Sequence, residues 1–596
     1  MLEVRATDGR GRLGDWMPDG KGGRSAAFPG LIVPDTSLAA APAWATATLT
    51  LRARKDPGRI ELLSGGTWFY PNAATDGLVV PAIIPAPTTT VQTIQVGTDL
   101  AVLHDAAGWA SNPKNLVPAL IQSRREATPA RLLWAPGLGT PEDYALWVYL
   151  GVELFDASPL LLAGARGQVL TTDGTLAVAD AQRILGDGTA WDQTRIVAHN
   201  FEAARQELER IRDAIATGTL RALVERRIYS KAASVEVLRR FDRDHTYLEA
   251  AAPRHRTTPL PAMTMDSLSM PEVEAFRRRL RTTYQPPRSA KILVLLPCSQ
   301  RKPYKTSRSH RQFARVLDES GIRGLLHEVM VTSPLGLVPR ELEEVYPANQ
   351  YDIPVTGHWT RDEEAIVKEQ LAALLSAHDY DHVVVHCGQA TFDILRHLLP
   401  EHTRHTCLHH PTSQEDLARL AAELARIKRE VGGVDSWSAG KARKLEDLRA
   451  LATFQFNAAV ADELLDGAVA HGRMPFVKLE RHGLQVGMTT PDRGVLSLTL
   501  DGAQVLAMHK THRVNIGDFR PKGTSSLFAI GVESADPDIR VGDEVVVVHN
   551  DEVRACGVAT MSSEEMAHME RGIAVVLRHT ATPVKADKPA TQEVAA

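Results

Sequence analysis

The sequence predicts an α/β multidomain protein, and three observations carry that reading. A length of 596 residues gives about three to five domains at roughly 100–200 residues each. From residue 113 to about 428, short apolar runs alternate with amphipathic helical stretches, the order that builds parallel sheets. Residues 511–580 instead break into short strands with glycine turns, the pattern of a small β-barrel-like domain. Hydrophobic residues make up 44% of the chain and charged residues 23%, ordinary values for soluble globular material. The net charge of −4 excludes a uniformly basic nucleic-acid coat and leaves room for a local basic patch. Four cysteines, Cys298, Cys387, Cys407 and Cys556, lie at least 20 positions apart, which excludes CxxC zinc knuckles and a disulfide scaffold. No apolar run approaches the ~18–20 residues that span a bilayer, and the opening residues carry no signal-peptide core. The expectation is a cytoplasmic protein without a membrane segment.

Residues 1–285 form the first predicted unit. Its first 90 residues alternate apolar runs with Gly and Pro and read as short strands and loops. A helix follows at 113–127, a strand at 131–135, a helix opened by Pro141, and a strand in VELFDA. That order suggests part of a parallel barrel. Residues 201–228 read as one charged amphipathic helix, and 261–287 as a connector carrying one helix, with QPPRS as the boundary. Residues 286–432 form a compact α/β domain with two buried strands, KILVLLP and HVVVHCG. Residues 433–510 form a small α+β domain in which VLSLTLDGAQVLA is the clearest strand pattern. The barrel-like domain spans 511–580, and 581–596 reads as a disordered tail. No internal repeat is visible.

The segment after KILVLLP is the richest in chemistry. It contains Cys298, Ser299, Lys302, Tyr304, Ser307 and His310 in a loop that follows a buried strand, where α/β folds place ligands. From Arg288 to Arg311 there are seven Lys or Arg, one His and no acid. Such a field favours the thiolate of Cys298 and attracts phosphate. Cysteine and histidine in one loop suggest a nucleophile and a proton shuttle, although spacing alone does not establish contact. The bland reading of Cys298 is a small buried hydrophobe at a strand end.

The PCS..KPY..S..H pattern resembles the signature of archaeosine synthases. TSPLGLVPRELEEVYPANQYDIPVTGHW (332–359) and HCGQATFD (386–393) agree with it. LWAPGLGTPEDYALWVYLGVELFDASP (133–159), RGQVLTTDG (166–174) and the helix from 198 to 225 resemble the end of a tRNA-guanine transglycosylase barrel. VNIGDFRPKGTSSLFAIGV and the strands after it resemble a PUA domain, an RNA-binding module. The resemblance implies a degenerate TIM-barrel-like, transglycosylase-related N-terminal domain, an α/β core domain bearing the PCS motif, and a C-terminal PUA domain. It implies an enzyme that adds an amine, lysine, to the nitrile of 7-cyano-7-deazaguanine in the D-arm of tRNA. The amidine adduct then passes to a radical-SAM partner that completes archaeosine. No cofactor is implied for this chain, and a homodimer is possible. Cys298 either adds first to give a thioimidate or only lines the pocket while lysine attacks directly. His310 or Tyr304 would supply the proton, and Lys302 electrostatic stabilisation.

Further residues follow from the same resemblance. Asp156 occupies the place of the transglycosylase nucleophile, but this region has no cysteine for that family's zinc cluster, so base exchange is not expected and Asp156 keeps a base-binding or structural role. Within 332–359, Arg340 is a candidate for phosphate, and Glu341 or Asp352, with Tyr351, for substrate. The His402–His410 run does not match metal spacing, and no metal is expected. Residues 511–580 carry seven Lys or Arg against eleven Asp or Glu, so RNA recognition there would rest on local groups near Arg513, Lys522 and Arg571. The alternatives are a zinc-independent or inactive transglycosylase, and a non-catalytic tRNA-binding scaffold for the radical-SAM partner.

Overall fold

The structure is a computed structural model. It describes residues 2–17, 25–34, 42–52, 99–103, 106–186, 190–354, 356–432, 436–523 and 526–581, together with the backbone of short strands between 59 and 96. The expected tail lies outside the described residues from 582 onward. Among the described residues no helix is long and apolar enough to cross a membrane.

The N-terminal unit opens with antiparallel strands Leu2–Asp8, Gly11–Trp16 and Ala26–Phe28. A second sheet contains five parallel neighbours in the order Leu100–Leu103, Leu132–Trp134, Leu154–Asp156, Gly30–Pro34 and Ala47–Arg52. Antiparallel strands extend both ends of that row, Thr93–Val96 at one and Arg59–Glu61 then Thr67–Phe69 at the other. The parallel arrangement matches the expected strand–helix–strand order. The single helix expected over 201–228 is two, Gln193–Thr217 and Leu220–Arg227. Gly218 separates them in the left-handed region at φ 71°, a conformation that glycine adopts without a Cβ penalty.

The central unit is a five-stranded sheet in the order Gly336–Pro339, Leu326–Thr332, Ile292–Pro297, His382–Val385, Arg404–His405. All strands but the first in that row are parallel. Strand Ile292–Pro297 is apolar throughout because both its faces are covered. Ile292, Val294 and Leu296 pack on helices Arg308–Glu319 and Gln414–Val431, through Phe313, Leu317, Leu420 and Leu424. Leu293 and Leu295 join the opposite core with Val367 and Leu371 of helix Arg361–Ala377. Helix Pro271–Thr282, expected as a connector, inserts Val273, Phe276 and Leu280 into that same core. Strand Leu260–Pro261 also pairs with Tyr351–Asp352, so packing of the central unit begins upstream of residue 285.

The chain leaves the middle strand to one side and returns on the other, so its neighbours Leu326–Thr332 and His382–Val385 flank a switch point. The crevice at the carboxyl ends beside such a point is where open α/β sheets bind ligands.

Residues 436–508 form helices Ser436–Gln455 and Ala458–Leu465, an antiparallel sheet of four strands, and helix Leu500–Met508. The strand expected through VLSLTLDGAQVLA stops at Leu498. The Thr499 side chain accepts from Gly502 N and starts the helix instead. The C-terminal unit is a six-stranded sheet. Strand Glu544–His549 there turns Val545 and Val547 into its own core, and Val546 and Val548 into the core shared with the central unit.

Candidate active site

Cys298 sits at the carboxyl end of the middle strand. The parallel register pairs Pro297 with Val331, which sets Cys298 beside Thr332 on the neighbouring strand. The Thr332 hydroxyl hydrogen bonds the thiol. Thr332 Oγ1 also lies 2.5 Å from the Tyr351 hydroxyl, which in turn lies 2.6 Å from the Tyr304 hydroxyl. Lys302 Nζ stands 4.0 Å from the centre of the Tyr351 ring. Four of the predicted residues, Cys298, Lys302, Tyr304 and Tyr351, thus meet in one cluster. Asp352 is exposed, and its charge acts on Lys302. Thr332 joins the cluster through strand register, a relationship the sequence does not display.

The electrostatics depart from the expected thiolate. Burial pushes the Cys298 thiol above its ordinary value of 9.0, overriding the Thr332 hydrogen bond and the Lys302 charge, which both pull it down. Burial also lowers the Lys302 ammonium from 10.5, against the pull of Cys298 and Asp352. Burial thus disfavours the charged form of both groups. Tyr304 and Tyr351 are both pushed up by burial and stay protonated.

His310, expected as a proton shuttle, is engaged at both ring nitrogens. Its Nε2 donates to the Pro297 carbonyl at 3.0 Å, and its Nδ1 accepts from Arg340 Nη2 at 3.0 Å. Burial, reinforced by the Arg340 charge, lowers its pKa to about 3. A neutral ring with both nitrogens engaged holds the strand end that carries Cys298. Arg340, expected to meet phosphate, is half-buried and engaged by Glu328 at 2.9 Å and Glu343 at 2.9 Å. Ser307 caps helix Arg308–Glu319 by accepting from His310 N at 3.2 Å. Ser299 Oγ donates to the Arg301 carbonyl at 2.8 Å.

Other predicted residues fall away from the thiol. Glu341 belongs to a buried network in which it accepts from Tyr284, whose hydroxyl lies 3.0 Å from His327 Nε2. With Arg340, His310, Glu343 and Asp447, Glu341 lines a cavity of about 540 Å³ against helix Ser436–Gln455. The 332–359 segment, expected as a polar loop, is largely buried from Thr332 to Ala348 and contains strand Gly336–Pro339. Asp156 is buried, and its two carboxylate oxygens accept from Gly137 N and Ser158 N. In this position it ties two loops together. Arg513 pairs with Asp551 at 3.3 Å and Asp536 at 3.6 Å. Lys522 is exposed and Arg571 partly exposed. In the His402–His410 run, His405 Nε2 donates to the Cys387 carbonyl at 2.8 Å and its ring stacks on Phe392 at 4.2 Å.

An α/β unit with its reactive residues at the carboxyl edge of the sheet, followed by a PUA domain, is the class this architecture defines. A family described as a domain of unknown function, DUF5591, matches residues 273–424, and the PUA domain family matches 521–581. A protein of Methanosarcina acetivorans named archaeosine synthase subunit alpha is 33% identical over 503 residues, 81% of this chain and 80% of that one. The archaeosine synthase of Haloferax volcanii is 32% identical over 499 residues, 81% of this chain and 82% of that one. The chain belongs to the archaeosine synthase family. A tRNA-guanine(15) transglycosylase of Methanothermobacter thermautotrophicus is 26% identical over 497 residues, 78% of this chain and 68% of that one.

Proposed function

We propose that this chain is a tRNA-modifying enzyme of archaeosine formation that adds lysine to the nitrile of 7-cyano-7-deazaguanine in the tRNA D-arm. The observation that carries the reading is the Cys298 thiol between Thr332 and Lys302 at the switch point of the sheet. Lys302, lowered towards neutrality, takes the thiol proton as sulfur bonds the nitrile carbon. The new ammonium returns that proton to the nitrile nitrogen, giving a thioimidate. The amine of lysine then attacks the same carbon, the thiolate leaves and takes up the proton the amine gives up, through Lys302, and the amidine remains beside the restored thiol. Net, one amine N–H has added across the carbon–nitrogen triple bond. The hydroxyls of Tyr351 and Thr332 stabilise the nitrogen as it gains charge.

A radical-SAM partner then cleaves the adduct. The N-terminal parallel row is read as a transglycosylase-like barrel that has lost base exchange, in keeping with the occupied Asp156 carboxylate. Incubation of the purified chain with cyano-modified tRNA and lysine, followed by nucleoside mass spectrometry, tests the reading. The parent forms the lysine adduct and Cys298→Ala does not. Adduct formation by Cys298→Ala at the parent rate would remove the covalent step, and no adduct from the parent would remove the reading.

A further inference from the structure

Beside the Cys298 loop lies an open cleft of about 740 Å³ that the chemistry above does not use. Every residue lining it is polar; three are arginines, Arg301, Arg308 and Arg311, and none is acidic. Neighbouring arginines of the same unit are neutralised: Arg323 by Asp318 and Glu328, Arg340 by Glu328 and Glu343, Arg315 by Glu319. Among the described residues, none of the three cleft arginines forms an ion pair with a carboxylate. Three guanidiniums facing one cleft repel one another, and an anion relieves that repulsion. Arg311 is held in place by donating to the Thr306 carbonyl at 2.7 Å.

The C-terminal unit offers the contrast. Of its seven basic residues, Arg513, Arg520, Arg554 and Arg578 are paired with acids. We propose that the Arg301–Arg308–Arg311 cleft binds RNA backbone phosphates and is the main electrostatic hold of this chain on RNA. The proposal rests on the tRNA-modifying reading and goes beyond it, because it moves phosphate binding from the PUA domain to the catalytic loop. Ser299 follows Cys298 directly and Arg301 stands three residues on, so phosphates seated in the cleft flank a base presented to the thiol.

The test is binding of unmodified tRNA to the full chain, followed by fluorescence anisotropy between roughly 50 and 200 mM salt. For the R301Q/R308Q/R311Q variant the slope of log K against log salt is expected to become shallower by roughly 2–3, about one per lost phosphate contact. Affinity at the low-salt end is expected to fall by at least about tenfold. Arg315→Gln, on the same helix outside the cleft, keeps the parent slope. An unchanged slope and affinity in the triple variant would overturn the proposal. So would saturable binding of inorganic phosphate at the three arginines with an unchanged tRNA slope, which would make the cleft a free-anion site. This readout needs no nitrile chemistry. A shallower slope without adduct from the parent spares the cleft and sinks the reaction; adduct with an unchanged slope does the reverse.

Discussion

Arg340 donates its Nη2 to His310 Nδ1 at 3.0 Å, and this bond leaves His310 a single tautomer, with Nε2–H directed at the Pro297 carbonyl. The ring is lodged between the Arg340 cation and the strand that ends in Cys298, so protonating it would set two positive charges together.

His310 is therefore expected not to titrate between pH 5 and 8. Its folded pKa is depressed to about 3 from 6.5. Its contribution to stability is full above 6.5 and is lost as pH falls from there towards 3. The ring resonances in a pH series check this: a midpoint near 6.5 would return His310 to the role of proton shuttle. Because His310 acts through the strand end, His310→Gln should lower the adduct rate while leaving the shape of the pH–rate profile unchanged.

Cys298 should be alkylated slowly at neutral pH. A thiol pushed above 9.0 is thiolate to less than roughly one per cent at pH 7. The iodoacetamide rate should climb about tenfold per pH unit up to a midpoint above 9. Cys298→Ser is expected to cut adduct formation by about 10³-fold, roughly 4 kcal/mol of barrier. A midpoint below 8 would mean the basic segment governs the thiol after all.

Lys302→Met is expected to reduce the adduct rate by about 10²–10⁴-fold and to move the alkylation midpoint of Cys298 higher, since the nearby cation is gone. Lys302→Arg should restore the midpoint but not the rate, because a guanidinium keeps its proton. Full activity in Lys302→Arg would show that charge alone is needed there.

Glu328 is the hub of a buried ion pair network with Arg323 and Arg340. Burial raises its pKa, but the two guanidiniums outweigh burial and hold it at about 2, against 4.5 ordinarily. That depression contributes on the order of 3 kcal/mol above pH 4.5, lost as pH falls towards 2. Glu328→Gln should cost about 3–5 kcal/mol at pH 7, because Arg340 keeps a half-buried charge with one partner fewer. Denaturant midpoints measured from pH 7 down to 3 should fall steeply in the parent and less steeply in the variant.

The middle strand and its loop were legible because burial on both faces leaves an unbroken apolar run, and because the polar residues after it are contiguous. Thr332 was not legible. It is 34 positions from Cys298, and only the parallel register brings the two together. Arg340 and Glu341 showed their charges in the sequence but not their partners, which sit on Leu326–Thr332 and at Tyr284. Helix Pro271–Thr282 displayed an apolar face without saying which sheet would cover it. The helix at Leu500–Met508 was signalled by Thr499 and by Asp501 in the first turn, a capping pattern masked by the alternating apolar residues before it.

Strand Glu544–His549 gives alternate valines to two different cores. The PUA domain is thus welded to the catalytic body, not tethered on a swinging arm. The spacing between that domain and Cys298 is set in the folded protein, like the jaws of a fixed-gap caliper. On the proposed reading, a tRNA reaches the thiol only if its own tertiary shape matches that gap, and selection among RNAs then begins with the architecture of the whole tRNA before any base is inspected.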